Sequence, residues 1–216
     1  SMSGSIQVLR SELDLNKENK KLMDIILKET DRLNNLIGSF LMYARPRSLE
    51  CRPVQIKKLV EETIMLLQNS RRMAAPVRIE TDIEEDAEIL ADPMAIRQVF
   101  WNLAINAVEA MPDGGNLRVA ATRVQDRKLS KGKGNTGFVR VTVSDTGGGI
   151  DPETRKKLFF PFYTTKERGS GLGLAIVHQI IQQHAGWIDV VNHPGSGAEF
   201  HLYLPEAAPS MVLNGV

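Results

Sequence analysis

The chain has 216 residues, 42% hydrophobic and 25% charged, with a formal net charge of +1 at pH 7. This is the composition of a soluble globular protein of one or two domains, and its charge balance argues against nucleic acid or an anionic membrane as a partner. A single cysteine, Cys51, rules out a disulfide framework and points to a reducing, cytoplasmic setting; no apolar run is long enough to span a membrane, and no signal peptide is legible.

Residues 3–13 read as the end of a helix, with Ile6, Leu9 and Leu13 on one stripe, followed by a polar break with Asn16 as a cap. Residues 18–44 read as one long amphipathic helix, in which Leu22, Ile25, Ile26, Leu33, Leu36, Ile37, Phe40 and Leu41 recur at spacings of three and four. Such a stripe calls for another helix. A hairpin that pairs with its own copy into a four-helix bundle meets that demand; a lone helix packed on the second domain is the alternative. The expected division is a hairpin at 1–45, a linker at 46–53 between Pro46 and Pro53, a second domain at 54–206, and a loose tail from Glu206, with 207–216 outside the domain. Ser1-Met2 reads as an expression scar, so a larger parent protein, a membrane-bound one among the options, is expected.

In the second domain, residues 56–67 read as a helix, while 77–83 and 88–91 read as strands. Asp92-Pro93 then starts a helix by cap and first-turn proline, with Ile96, Val99, Phe100, Leu103 and Ala107 facing inward. Strands at 116–125 and 137–145 follow, joined by a basic loop (Arg127, Lys128, Lys131, Lys133) that reads as a solvated hairpin tip in preference to a docking site for an acidic partner. A helix at 172–185 and strands at 187–191 and 199–204 close the domain. Helices set against a mostly antiparallel sheet give an α+β fold, a two-layer sandwich preceded by the helical hairpin.

The chemistry concentrates at 145–174. Val139, Val141 and Val143 alternate as a half-buried strand and end in Asp145-Thr146-Gly147-Gly148-Gly149-Ile150. There the acid can accept from an exocyclic amine, and glycine lets backbone approach a flat ring. An aromatic cluster follows, through Phe162 to Thr164-Thr165-Lys166. Then Gly169-Ser170-Gly171-Leu172-Gly173-Leu174 runs into a helix, and N–H groups in such a turn form an anion site. On the helix from Pro93, Gln98, Asn102, Asn106 and Glu109 share one face. Asparagine is a poor helix former, and its oxygen is a hard ligand suited to Mg²⁺, which substrate phosphates usually complete. Any one of these runs alone reads first as a turn or a wet helix face; their order and closeness point to a nucleotide.

Taken together, they resemble the sensor histidine kinases of two-component systems. Asn102-Leu103-Ala104-Ile105-Asn106-Ala107-Val108-Glu109-Ala110 is similar to the N box, 145–150 to the first glycine box, 159–166 to the F box, 169–174 to the second glycine box, and 194–200 to the third glycine-containing element. The wording around Met111 and Thr164-Thr165-Lys166 is similar to the nitrogen- and pilus-regulator branch. The resemblance implies the ATP-binding fold of the gyrase, Hsp90 and MutL superfamily. It also implies transfer of the ATP γ-phosphoryl group to a histidine, then to an aspartate on a response regulator receiver domain, in a protein that dimerises through the hairpin and lies downstream of a sensor region.

Carried over by position, the resemblance implies that Asp145 accepts from adenine while Gly147, Gly149 and Ile150 lie against the ring. Asn106 ligates Mg²⁺, with Asn102 near the same phosphates; both are the expected catalytic residues. Residues 149–169, with Phe162, Thr164, Thr165 and Lys166, form a mobile lid. Gly171 and Gly173 cradle phosphate at the helix start, with Gly169, Ser170, Leu172 and Leu174 beside them among the nucleotide-binding positions. The family's acceptor histidine belongs to the first bundle helix, upstream of Ser3; His178, His184, His193 and His201 all lie elsewhere, so this chain is not expected to phosphorylate itself. Two other readings stand beside the kinase. One is an ATP hydrolase of the superfamily, disfavoured because Asn102 occupies the place of its water-activating glutamate; the other is a non-catalytic nucleotide-binding module.

Overall fold

The computed structural model describes residues 17–44, 48–70, 75–124, 137–166 and 169–207, together with Gly4 and Val8, both helical. The chain divides into two compact units, Ser1–Arg47 and Ser48–Val216. The remainder of the expected first helix, the Asn16 cap, the basic loop and the chain end beyond Ala207 lie outside the described residues.

The first unit contains α1, Lys17–Ala44, 28 residues long. Leu22, Ile25, Ile26, Leu33, Ile37, Phe40 and Leu41 on it are 46–59% exposed in the single chain. A helix that leaves so much apolar side chain in water has not satisfied its own pattern.

The second unit runs β1 (Arg52–Gln55), α2 (Ile56–Gln68), β2 (Val77–Ile83), β3 (Glu88–Ala91), α3 (Pro93–Ala110), β4 (Gly115–Val124), β5 (Phe138–Asp145), α4 (Pro152–Lys157), α5 (Gly173–Gln183), β6 (Trp187–His193) and β7 (Gly197–Pro205). Strands β1 and β3 pair antiparallel as a two-stranded ribbon. The main sheet has the order β2-β4-β5-β7-β6, parallel only between β2 and β4. Alternation sets its faces: Leu117, Val119 and Ala121, then Val139, Val141 and Val143, then Phe200, Leu202 and Leu204 are buried on the helix side. Val60 of α2, Phe100 and Ala104 of α3, and Leu117, Val119 and Val143 surround one small gap in this core. The expected α+β sandwich is the fold observed.

Helix α3 begins where the sequence places it. Asp92 Oδ1 accepts from the amides of Met94 (2.9 Å) and Ala95 (3.2 Å), with Pro93 in the first turn. All five side chains expected inward are buried. Two elements escaped the sequence reading. Arg52 and Pro53, read as linker, lie in β1. The short α4 repeats the Asp-Pro start, with Asp151 Oδ1 accepting from Glu153 (3.0 Å) and Thr154 (2.9 Å). The expected loose tail also begins later: Glu206 N–H donates to Gly137 O (2.9 Å), Ala207 N–H to Glu88 O (3.0 Å), and Ala207 is buried.

Candidate functional site

Strand β5 delivers Asp145 to the sheet end, where its Oδ1 accepts from Gly147 N–H at 2.9 Å. Burial pushes its carboxyl above the ordinary value, partly offset by the amides of Gly147 and Ala198 and the charge of Lys166. The three glycines that follow differ in what surrounds them. A Cβ on Gly147 would stand 2.5 Å from Ala110 O. One on Gly149, at φ +76°, would stand 2.8 Å from His193 O and 3.0 Å from Asn192 Oδ1. At Gly148 nothing lies within 4 Å, and it is exposed. The protein's own carbonyls therefore account for the outer two glycines, and Gly148 presents the open backbone. Ile150 is held on both sides of its backbone by Asn192.

The other half of the site lies along α3. Asn102 and Asn106 are half-buried one turn apart; Gln98 lies a turn before them, and Glu109 is exposed. Asn102 Nδ2 donates to Gly173 O at 3.2 Å, tying α3 to the start of α5. From the opposite side Lys166 Nζ donates to Asn106 Oδ1 (3.3 Å) and Glu109 Oε2 (2.6 Å). One polar face is thus contacted by both the residue-166 segment and the glycine-rich turn.

That turn is itself packed against the aromatic segment. Gly171 adopts φ +67°, and a Cβ there would meet Phe162 O and Tyr163 N at 2.7 Å. Phe162 sits at φ +65° and is exposed, a strained backbone of the kind that clusters at functional sites. Thr164 Oγ1 accepts from Lys166 N–H (3.1 Å), Ser170 Oγ from Leu172 N–H (3.2 Å), and a Cβ on Gly169 would meet Thr164 Oγ1. Thr165 is exposed, Leu172 fully buried and Leu174 half-buried at the start of α5, so Leu172 serves the core while the backbone around it faces the site. Asp145 and Lys166 interact electrostatically, which joins the two halves.

Residues 91–208 match the family described as histidine kinase-, DNA gyrase B-, and HSP90-like ATPase. The chain belongs to that family. Signal transduction histidine-protein kinase AtoS of Escherichia coli is 36% identical over 202 residues, covering 94% of this chain and 31% of AtoS. Among solved structures, full-length ShkA in complex with AMPPNP has a TM-score of 0.76 at 29% identity, over 95% of this chain and 42% of ShkA. Histidine kinase ThkA in complex with response regulator protein TrrA has a TM-score of 0.68 at 32% identity, over 94% of this chain and 56% of the ThkA chain. Within this ATPase family the chain carries a catalytic domain of the histidine-kinase kind, and it spans well under half the length of AtoS.

Two residues of this ATPase domain were missed by sequence reasoning. Asn192 reads in sequence only as a polar residue before a Pro-Gly turn, and its partner lies 42 positions away. His184, set aside in sequence only as a non-acceptor, is buried at 4% exposure, with Nδ1 against Ile180 O (2.7 Å) and Nε2 accepting from Asp92 N–H (3.0 Å). It joins the end of α5 to the start of α3. No pattern in either segment announces that pairing.

Proposed function

We propose that this domain binds Mg-ATP and directs its γ-phosphoryl group to a histidine supplied from outside this sequence, for onward transfer to a response-regulator aspartate. The observation that carries the proposal is the convergence on α3: Asn106 met by Lys166, and Asn102 by the carbonyl of Gly173.

In this reading Asp145 accepts from the adenine amino group, and the open backbone at Gly148 lies along the ring. The N–H groups at the start of α5, set by Gly171 and Gly173, face phosphate. Lys166, already directed at oxygen atoms, supplies positive charge there. The donor set fits Mg²⁺: Asn106 Oδ1 is a hard oxygen that already attracts a cation. Among the described residues no three His, Cys, Asp or Glu side chains converge to hold a metal, so phosphate oxygens would complete its coordination. When bound, Mg²⁺ would neutralise charge on the phosphates. Catalysis is then mainly positioning and electrostatic stabilisation, with the incoming imidazole nitrogen in line with the bond that breaks.

The four histidines support an external acceptor. His184 has both ring nitrogens engaged in the core; His178 stacks on Phe159 at 5.0 Å; His193 and His201 flank Glu199. The exposed stripe on α1 suits a second copy of the chain, pairing into a helical bundle. Hydrolysis is disfavoured because Asn102 is an amide, without basicity to activate water, and its N–H is committed to Gly173. Among the described residues no helix is long and apolar enough to cross a membrane.

The test incubates this chain, and the same chain extended by a full histidine-bearing first helix, with γ-labelled ATP. Acid-labile, base-stable label on the extended chain alone is expected. Stoichiometric base-stable label on the present chain would make one of its own histidines the acceptor, and label on neither would remove the kinase reading.

A further inference from the structure

We infer that Asn192 is a positioning residue for base recognition, locking the loop at 145–150 through Ile150; the inference rests on reading that loop as the adenine site. Asn192 stands near the end of β6, an edge strand of the main sheet. Its Oδ1 accepts from Ile150 N–H at 2.7 Å, and its Nδ2 donates to Ile150 O at 2.6 Å. A peptide N–H can only donate and a carbonyl only accept, so the partners themselves fix which way the amide faces. One side chain thereby does what a neighbouring strand would do. It satisfies both polar groups of a residue that has left the sheet.

The lock has two further points. Gly195 N–H donates to Gly148 O at 3.0 Å. Gly149, between them, lies so close to the turn that a Cβ would collide with His193 O and press on Asn192 Oδ1. The end of β6 and the turn after it therefore hold three consecutive residues, 148–150, while Gly147 is tied back to Asp145 Oδ1. Gly148 keeps its Cβ direction open and the carboxyl of Asp145 stays fixed relative to it. This is a preformed edge for a flat ring with one amine, and a loop fixed before binding loses less freedom on binding. The Asn192 amide is bonded to Ile150 and not to Asn102, Asn106 or Lys166, so the lock is set at the base end of the site.

The experiment compares Asn192→Ala with the unaltered chain by calorimetry, using ATP, GTP and Mg-tripolyphosphate as probes. ATP affinity is expected to fall about tenfold, the loss of one to two hydrogen bonds' net worth. The preference for ATP over GTP should narrow, while tripolyphosphate binding stays unchanged. Asn192→Asp, which keeps the acceptor but faces a carbonyl with a carboxylate, should be no better than Ala. Equal losses for ATP and tripolyphosphate, or unchanged ATP affinity, would overturn the inference. If Asp145→Asn leaves ATP affinity unchanged, the adenine reading fails and this one with it; if Asp145→Asn weakens ATP binding and Asn192→Ala does not, only the lock is wrong. Should the Ala variant not fold, amide exchange in the unaltered chain decides: the Ile150 amide must be protected, and rapid exchange there contradicts the lock.

Discussion

The two ends of the proposed nucleotide site are built differently. At the base end the backbone is closely held: Gly147 lies against the carbonyl of Ala110, Gly149 against that of His193, and the peptide groups of Ile150 are doubly bonded to the short Asn192 side chain. At the phosphate end the contacts run through long or exposed groups, chiefly Lys166 reaching Asn106 and Glu109. Lys166 and Glu109 are about equally exposed, 40% and 39% at the side chain, and an ion pair that wet is worth only about 0–1 kcal/mol. A heterocycle is rigid and can be met by a rigid edge. A triphosphate and its metal bring charge that must displace the charges already there, which favours contacts that cost little to break.

That contrast can be broken most severely at Gly149. Gly149→Ala adds a Cβ at φ +76° against two oxygens and should destabilise the fold by about 1–3 kcal/mol, read as a lowered midpoint in denaturant. Gly148→Ala, with nothing within 4 Å, should leave folding unchanged while weakening ATP binding. Equal effects at the two positions would mean the loop is not held as described.

A smaller effect is expected at the helix both ends share. Asp92→Ala removes the α3 cap and should cost about 0.5–2 kcal/mol at neutral pH. Burial works to raise the Asp92 carboxyl, but the amides of Glu50, Ala95 and Met94 outweigh it and hold the group below its ordinary value. The stability it gives is therefore present above the unfolded-state pKa and lost as pH falls through the folded one. The gap between Asp92→Ala and the unaltered chain should shrink below the usual carboxylate range; a gap constant with pH would contradict this. The smallest stability change is expected for Lys166→Ala, within about 1 kcal/mol, since its pairs are wet. Its consequence should appear instead as weaker binding of ATP relative to adenosine; parallel losses for both would remove Lys166 from the phosphate end.

Much of this arrangement could be read from the chain. Period-2 alternation of residue types located β2 and β5, Asp92-Pro93 located α3, and the polar face of Asn102, Asn106 and Glu109 lies where a helical projection puts it. The same Asp-Pro signature stood unread at 151–152, because the glycines before it made the stretch look like loop. Strand β1 was hidden by Pro53, which an edge strand tolerates when its N–H is not needed. Asn192 and His184 were invisible for another reason. Each acts on a partner 42 or 92 positions away, and a single amide or imidazole carries no periodicity.

The most direct test titrates ATP and ADP into Asp145→Asn and Asn106→Ala, with and without Mg²⁺. Burial already holds the Asp145 carboxyl above its ordinary value, so its ionisation costs stability as pH rises through the folded pKa, and Asn should not weaken the fold at neutral pH. Asp145→Asn is predicted to weaken ATP and ADP alike, by about 1.5–3 kcal/mol, in the presence or absence of metal. Asn106→Ala is predicted to remove only the Mg²⁺-dependent part of ATP binding. Unchanged ATP affinity in Asp145→Asn, or a loss in Asn106→Ala that ignores Mg²⁺, would contradict the division of the site into a base end and a metal-phosphate end.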